Sequence, residues 1–115
     1  SRSHFLALAA TAMRRILVDH ARAQAAIRRG GNHRIDALDG KSVAATEQVQ
    51  LLALDVALER LAKLDARKVR IVEMRFFAEL DLEEIAASLE VSVSTVKREW
   101  RLARVWLKRE IDRIG

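Results

Sequence analysis

Apolar residues recur at three- and four-residue spacing along most of the chain, and the places where that rhythm fails divide it into segments. Over residues 4–29, Phe5, Ala9, Ala12, Met13, Ile16, Leu17 and Ala21 share one face of an amphipathic helix, with Ser3 as its N-cap. From Gly30 the rhythm breaks. Gly30-Gly31 stops a basic helix, and Asn32, His33, Asp36, Asp39, Gly40 and Ser42 make a polar linker that runs to Thr46. A stretch of about 15 residues is long for a loop inside one compact domain, so two units joined by a tether are expected. The rhythm resumes over residues 47–64, where Leu51, Leu54, Leu58, Leu61 and Leu64 form a stripe and Thr46 is the candidate cap. Asp65 caps the next helix, in which Val69, Val72 and Phe76 face inward with Ile71 and Met74 beside them. After Ala78-Glu79-Leu80, Asp81 and Glu84 have capping-box spacing and open a short helix that buries Leu82, Ile85, Ala86 and Leu89.

The last helix follows the turn at Glu90 to Ser92, with Ser92 as its N-cap. At about 100° per residue, Val96, Trp100, Ala103, Leu107 and Ile111 fall on one side and form its core face. Lys97, Arg101, Arg104 and Lys108 cluster roughly a quarter-turn away, with Ser94 and Arg98 flanking them. Leu102, Val105 and Trp106 lie off the core face and either pack on another helix or make a protein-contact surface. Ala86, Glu90 and Val96 occupy the small, turn and β-branched positions of a helix-turn-helix. The glutamate departs from the Gly or Asn that a positive φ favours. The predicted fold is therefore all-α: a helical bundle with a C-terminal helix-turn-helix, preceded by an amphipathic helix and a linker. Its units are residues 1–30, a linker 31–46 and a four-helix domain 47–115. Such a helix suits DNA. Its first turns reach base edges in a major groove, its flanking cations meet phosphates, and Ser94 and Thr95 add hydroxyls at the positive end of the helix dipole.

Composition narrows this picture. Hydrophobic residues are 50% of the 115, enough for a core, and there is no proline to interrupt a helix. Cysteine is absent, which removes disulfides and thiolate metal sites and is compatible with a reducing cytoplasm. No apolar run approaches the roughly 20 residues of a membrane span. The net charge of +5 is unevenly placed. Residues 1–34 carry seven Arg against one Asp, 35–65 carry three bases against six acids, and from Val93 onward seven bases face three acids. Basic ends are phosphate-binding candidates. His4, His20 and His33 are scattered, and no phosphate loop, ligand spacing or nucleophile motif occurs, so neither catalysis nor a cofactor or metal is expected.

Several blocks, taken in order, resemble a known family. Phe76-Phe77, Asp81-Leu82-Glu83-Glu84-Ile85-Ala86, Leu89-Glu90-Val91-Ser92, Ser94-Thr95-Val96-Lys97 and Leu102-Ala103-Arg104 are similar to the C-terminal promoter-binding domain of bacterial RNA polymerase sigma factors of the extracytoplasmic-function class. Ala57-Leu58-Glu59-Arg60-Leu61 and Leu64-Asp65-Ala66-Arg67 resemble the opening helices of that domain. Phe5-Leu6-Ala7-Leu8-Ala9 and Arg14-Arg15-Ile16-Leu17-Val18-Asp19-His20-Ala21-Arg22 resemble the end of the first conserved domain, which reads the −10 element; its earlier helices would precede Ser1. The resemblance implies a cytoplasmic protein that binds double-stranded promoter DNA and the RNA polymerase core. Lys97, Arg98 and Arg101 would contact bases or phosphates of the −35 element, and Arg104 and Lys108 would contact phosphates. Arg98-Glu99-Trp100 and Leu102 depart from the family pattern, so the base preference is this chain's own. A regulator is left open: an anti-sigma protein, or a kinase, to which Ser42 and Thr46 offer linker hydroxyls. The competing reading is a helix-turn-helix regulator or protein-interaction module that self-associates as a homodimer through the N-terminal helix.

Overall fold

The computed structural model describes residues 2–27 and 43–114, and among them the architecture is all-α. Helix α1 spans Arg2–Ile27, α2 Val43–Ala62, α3 Ala66–Val72, α4 Leu82–Leu89 and α5 Val93–Ile114; α3 runs on into a π-helical turn, Glu73–Phe77. Ser3 lies inside α1 rather than capping it, and its carbonyl accepts from Ser88 Oγ of α4 at 2.7 Å. The predicted linker overlaps the start of α2, which begins at Val43; the rest of the linker and the Thr46 side chain lie outside what is described.

Local chemistry sets the helix starts. Asp65 accepts from the Lys68 backbone N–H, as an N-cap should. Asp81 and Glu84 complete the reciprocal capping box at α4. Two core clusters then form. In one, Leu58 and Leu61 of α2 meet Val69 and Val72 of α3, Phe77, and Ala103 and Leu107 of α5. In the other, Ile71, Met74 and Leu80 meet Ile85 and Ala86 of α4, Val96 of α5 and Ala10 of α1. Trp100 packs against both and joins them. Leu64 departs from its predicted stripe: α2 ends at Ala62, and Leu64 is 70% exposed in the turn that follows.

The π-helical turn corrects a second expectation. Its wider winding, seen in the Ala78 N–H bond to the Glu73 carbonyl, shifts the helix phase by one residue. Phe77 goes inward, while Phe76 stays 54% exposed and meets it edge to face at 5.0 Å.

The largest correction concerns α1, which folds back on the later helices with a face rolled well away from the predicted one, so that of the predicted positions only Ala21 is buried. Ala10, Arg14, Val18 and Ala21 are buried, whereas Phe5, Met13, Ile16 and Leu17 are exposed, as is Ala12. An ion cluster sets that choice. Arg14 donates to Asp55 of α2 through Nε and Nη2, at 2.9 and 2.7 Å, and to Glu73 through Nη1 at 3.1 Å. Glu59 adds a third acid at 2.9 Å, Thr11 donates to Glu73, and Arg22 donates to Asp55. Asp55, Glu73 and Arg14 are all buried, so each needs the others. Burial, the largest single influence, would lower the Arg14 pKa; the hydrogen bonds to Asp55 and Glu73 together with their charges outweigh it and raise it.

Candidate nucleic-acid interface

The candidate interface is built where α4 hands over to α5. Glu90 sits at φ 57°, ψ 45°, in the left-handed region. Its N–H bonds the Ala87 carbonyl and the Val91 N–H bonds the Ala86 carbonyl, the two bonds of a Schellman stop. The sequence offers no glycine here, and the glutamate takes the strained conformation because both bonds and the packing of Ala86 against Val96 fix it. Glu79, before α4, is also left-handed, at φ 55°. Ser92 then caps α5: its Oγ accepts from the Thr95 N–H at 3.1 Å and lies 2.9 Å from Thr95 Oγ1.

All seven predicted site residues lie on α5. Ser94, Lys97, Arg98, Arg101, Arg104 and Lys108 are exposed; Thr95 is half-buried, with its hydroxyl turned to Ser92. The core face predicted from the wheel is the observed one. Val96, Ala103 and Leu107 are buried, and Trp100 and Ile111 are half-buried. Leu102 and Val105 are exposed at 51% and 49%, while Trp106 packs against the core.

The cationic row is split by what it borders. Arg101, Arg104 and Lys108 edge an open groove of about 1170 Å³ whose apolar lining includes Leu54, Phe76, Phe77 and Trp100. Arg104 also stacks on the Trp100 ring at 5.7 Å, a cation–π contact that holds its stem against the helix. Lys97 and Arg98 stand outside the groove lining, nearer the N-terminal end of α5.

Sequence reasoning missed two buried acids on this helix. Glu99 and Glu110 are 5% and 8% exposed. Arg67 of α3 grips Glu99, and Arg60 of α2 bonds Glu110 at 2.7 Å. The hydrogen bond to Glu99 is the main reason the Arg67 pKa is raised. A signal existed: on the wheel both glutamates fall at the edge of the apolar arc, where an acid requires a cation from another helix.

Among the described residues no group of His, Cys, Asp and Glu could hold a metal ion, and no helix is long and apolar enough to cross a membrane. A family model described as ECF sigma factor matches residues 1–113. No curated protein and no solved structure matches the chain.

Proposed function

The chain belongs to the ECF sigma factor family, and we propose that it recognises promoters by laying α5 in the major groove of the −35 element. The observation that carries this reading is the two-sided character of α5: one side is anchored in both core clusters, and the other presents Lys97, Arg98, Arg101, Arg104 and Lys108 to solvent. A helix held in this way can enter a groove without losing its own packing. Lys97, Arg98 and Arg101, on the first turns, are the groups for base edges and nearby phosphates. Arg104 and Lys108 are phosphate contacts further along. Ser94 offers its hydroxyl and backbone at the positive end of the helix dipole, and Thr95, whose N–H and hydroxyl both engage Ser92, holds that turn in place for the contact.

The groove beside the cationic row fits the second partner. Its apolar lining and the exposed Phe76 and Val105 make it the docking site for the flap of the RNA polymerase core, with Arg101 on the rim between polymerase and DNA. By family resemblance, α1 belongs to the −10-reading part. Transcription reconstituted with core polymerase on a promoter library tests the whole reading, and the absence of any promoter-dependent transcript would sink it. A direct test of the contacts is the salt dependence of duplex binding. Arg104→Ala and Lys108→Ala are each expected to flatten the slope of log K against log salt by about 0.9 while weakening binding to all sequences alike.

One observation favours a second reading. Phe5, Leu8 and Ile16 form an apolar stripe on α1, each more than half exposed. A second copy of the chain could cover it, and sedimentation across concentration distinguishes a dimer from a monomer.

A further inference from the structure

The apolar face of α5 is not enough to aim it. Hydrophobic contact is non-directional, and midway along this face stands Ala103, which offers little side chain to resist a roll. A roll of about 20° would carry a guanidinium tip lying about 9 Å from the helix axis through about 3 Å, the length of a hydrogen bond. Something directional has to fix the roll.

The directional elements are the two glutamates. Glu99 and Glu110 are eleven residues apart, which brings them to nearly the same edge of the helix, about 16 Å apart along it. Each is held by an arginine from a different helix. Arg67 of α3 donates to Glu99 Oε1 through both Nε, at 3.2 Å, and Nη2; Arg60 of α2 donates to Glu110 Oε1. A planar guanidinium fixes the direction of its partner as well as its distance. The Glu99 pair lies within the turns that carry Lys97, Arg98 and Arg101. It is also imperfect as a source of stability, because Glu99 Oε2 is buried with no hydrogen-bond partner among the described residues. A buried ion pair is weak evidence for stability, whereas its two-pronged geometry bears directly on orientation.

We propose that Arg67 and Glu99 are positioning residues that set the roll of the DNA-reading helix and thereby its base discrimination. The proposal rests on α5 being that helix. Neither residue contacts DNA in this scheme; they act through Lys97, Arg98 and Arg101.

The test uses the 115-residue chain, the duplex it enriches from a random pool, and a scrambled duplex of the same length. Glu99→Gln and Arg67→Lys are expected to lower the ratio of specific to scrambled affinity about tenfold, the scale of one lost base contact. Scrambled-duplex affinity and salt slope should stay unchanged. The apolar double variant Arg67→Met with Glu99→Leu removes the ion pair while filling its space. It should melt as cooperatively as the parent and still discriminate poorly. A purely structural pair predicts the opposite, full discrimination wherever folding is intact, and that result in Arg67→Lys or in the double variant overturns the proposal. Arg67 is half-exposed, so its lysine variant keeps the test open even if Glu99→Gln fails to fold. A parent chain that enriches no sequence overturns the DNA-reading role of α5 itself, whereas discrimination retained by folded variants overturns only the positioning role.

Discussion

Helices α1 and α5 are the longest among the described residues, 26 and 22 residues, both basic and both apolar along one side, yet they dock by opposite means. Helix α5 buries its apolar stripe and uses ion pairs at its edge. Helix α1 puts an ion cluster at the centre of its contact, surrounds it with the small residues Ala10, Val18 and Ala21, and turns its larger apolar side chains outward. The difference separates adhesion from address. A broad apolar face supplies free energy but tolerates sliding, whereas Arg14 fits only where Asp55 and Glu73 converge. Helix α1 is thus placed by a charge that would be costly anywhere else.

The largest effect expected from this contrast is at Arg14. Arg14→Ala leaves Glu73 buried without a cation and Asp55 with Arg22 alone, a cost of about 3–5 kcal/mol if α1 stays docked. Undocking relieves it. Amide hydrogen exchange should therefore accelerate along α1 while α5 remains protected. Equal acceleration in both helices would show that α1 is integral to one core and would erase the distinction. On the other side of the comparison stands Leu107→Ala. It opens a cavity under α5 and should cost about 2–5 kcal/mol of global stability, read from urea unfolding, with no selective loosening of α1.

The same contrast explains what could be read from the residues. The core face of α5 was legible because Val96, Trp100, Ala103, Leu107 and Ile111 fall within one arc of the wheel, with the cationic row beside it. The three helix starts of α3, α4 and α5 were legible because Asp65, Asp81 and Ser92 act on their own neighbours. Helix α1 offered two faces, one rich in large apolar residues and one rich in alanine with an arginine in the middle. The hydrophobic wheel selects the first. The groups that decide for the second, Asp55 and Glu73, lie 41 and 59 residues away, where no local pattern points to Arg14. The exchange of Phe76 for Phe77 has a different cause, since a π-helical turn adds a phase shift that regular spacing cannot express. At the candidate interface all seven predicted residues share α5. The partners of Glu99 and Glu110 were hidden because they come from other helices.

A smaller effect sharpens the account of α5. Its direction depends on the left-handed residue at Glu90, where a side chain is unfavourable. Glu90→Gly is expected to stabilise the chain by up to about 1 kcal/mol, partly offset by the greater freedom of glycine in the unfolded state. Thermal melting measures the gain. A loss instead would mean that the glutamate side chain makes a contact worth more than the strain it carries.

The smallest effect is expected on the outward face of α1, and it tests the comparison most sharply. Ile16 is 67% exposed, so Ile16→Ser removes little buried area and should change stability by no more than about 0.5 kcal/mol. The same replacement at an inward position such as Val18, which is 3% exposed, should be much more costly. Unfolding should be measured at several protein concentrations. A dilute monomer ought to be indifferent to Ile16→Ser throughout the range. If the cost instead grows with concentration, the stripe formed by Phe5, Leu8 and Ile16 is covered by a second copy, and α1 then has two docked faces where α5 has one. A cost as large as that of Leu107→Ala at every concentration would mean that Ile16 is packed within the monomer, and the opposition between the two helices would fail.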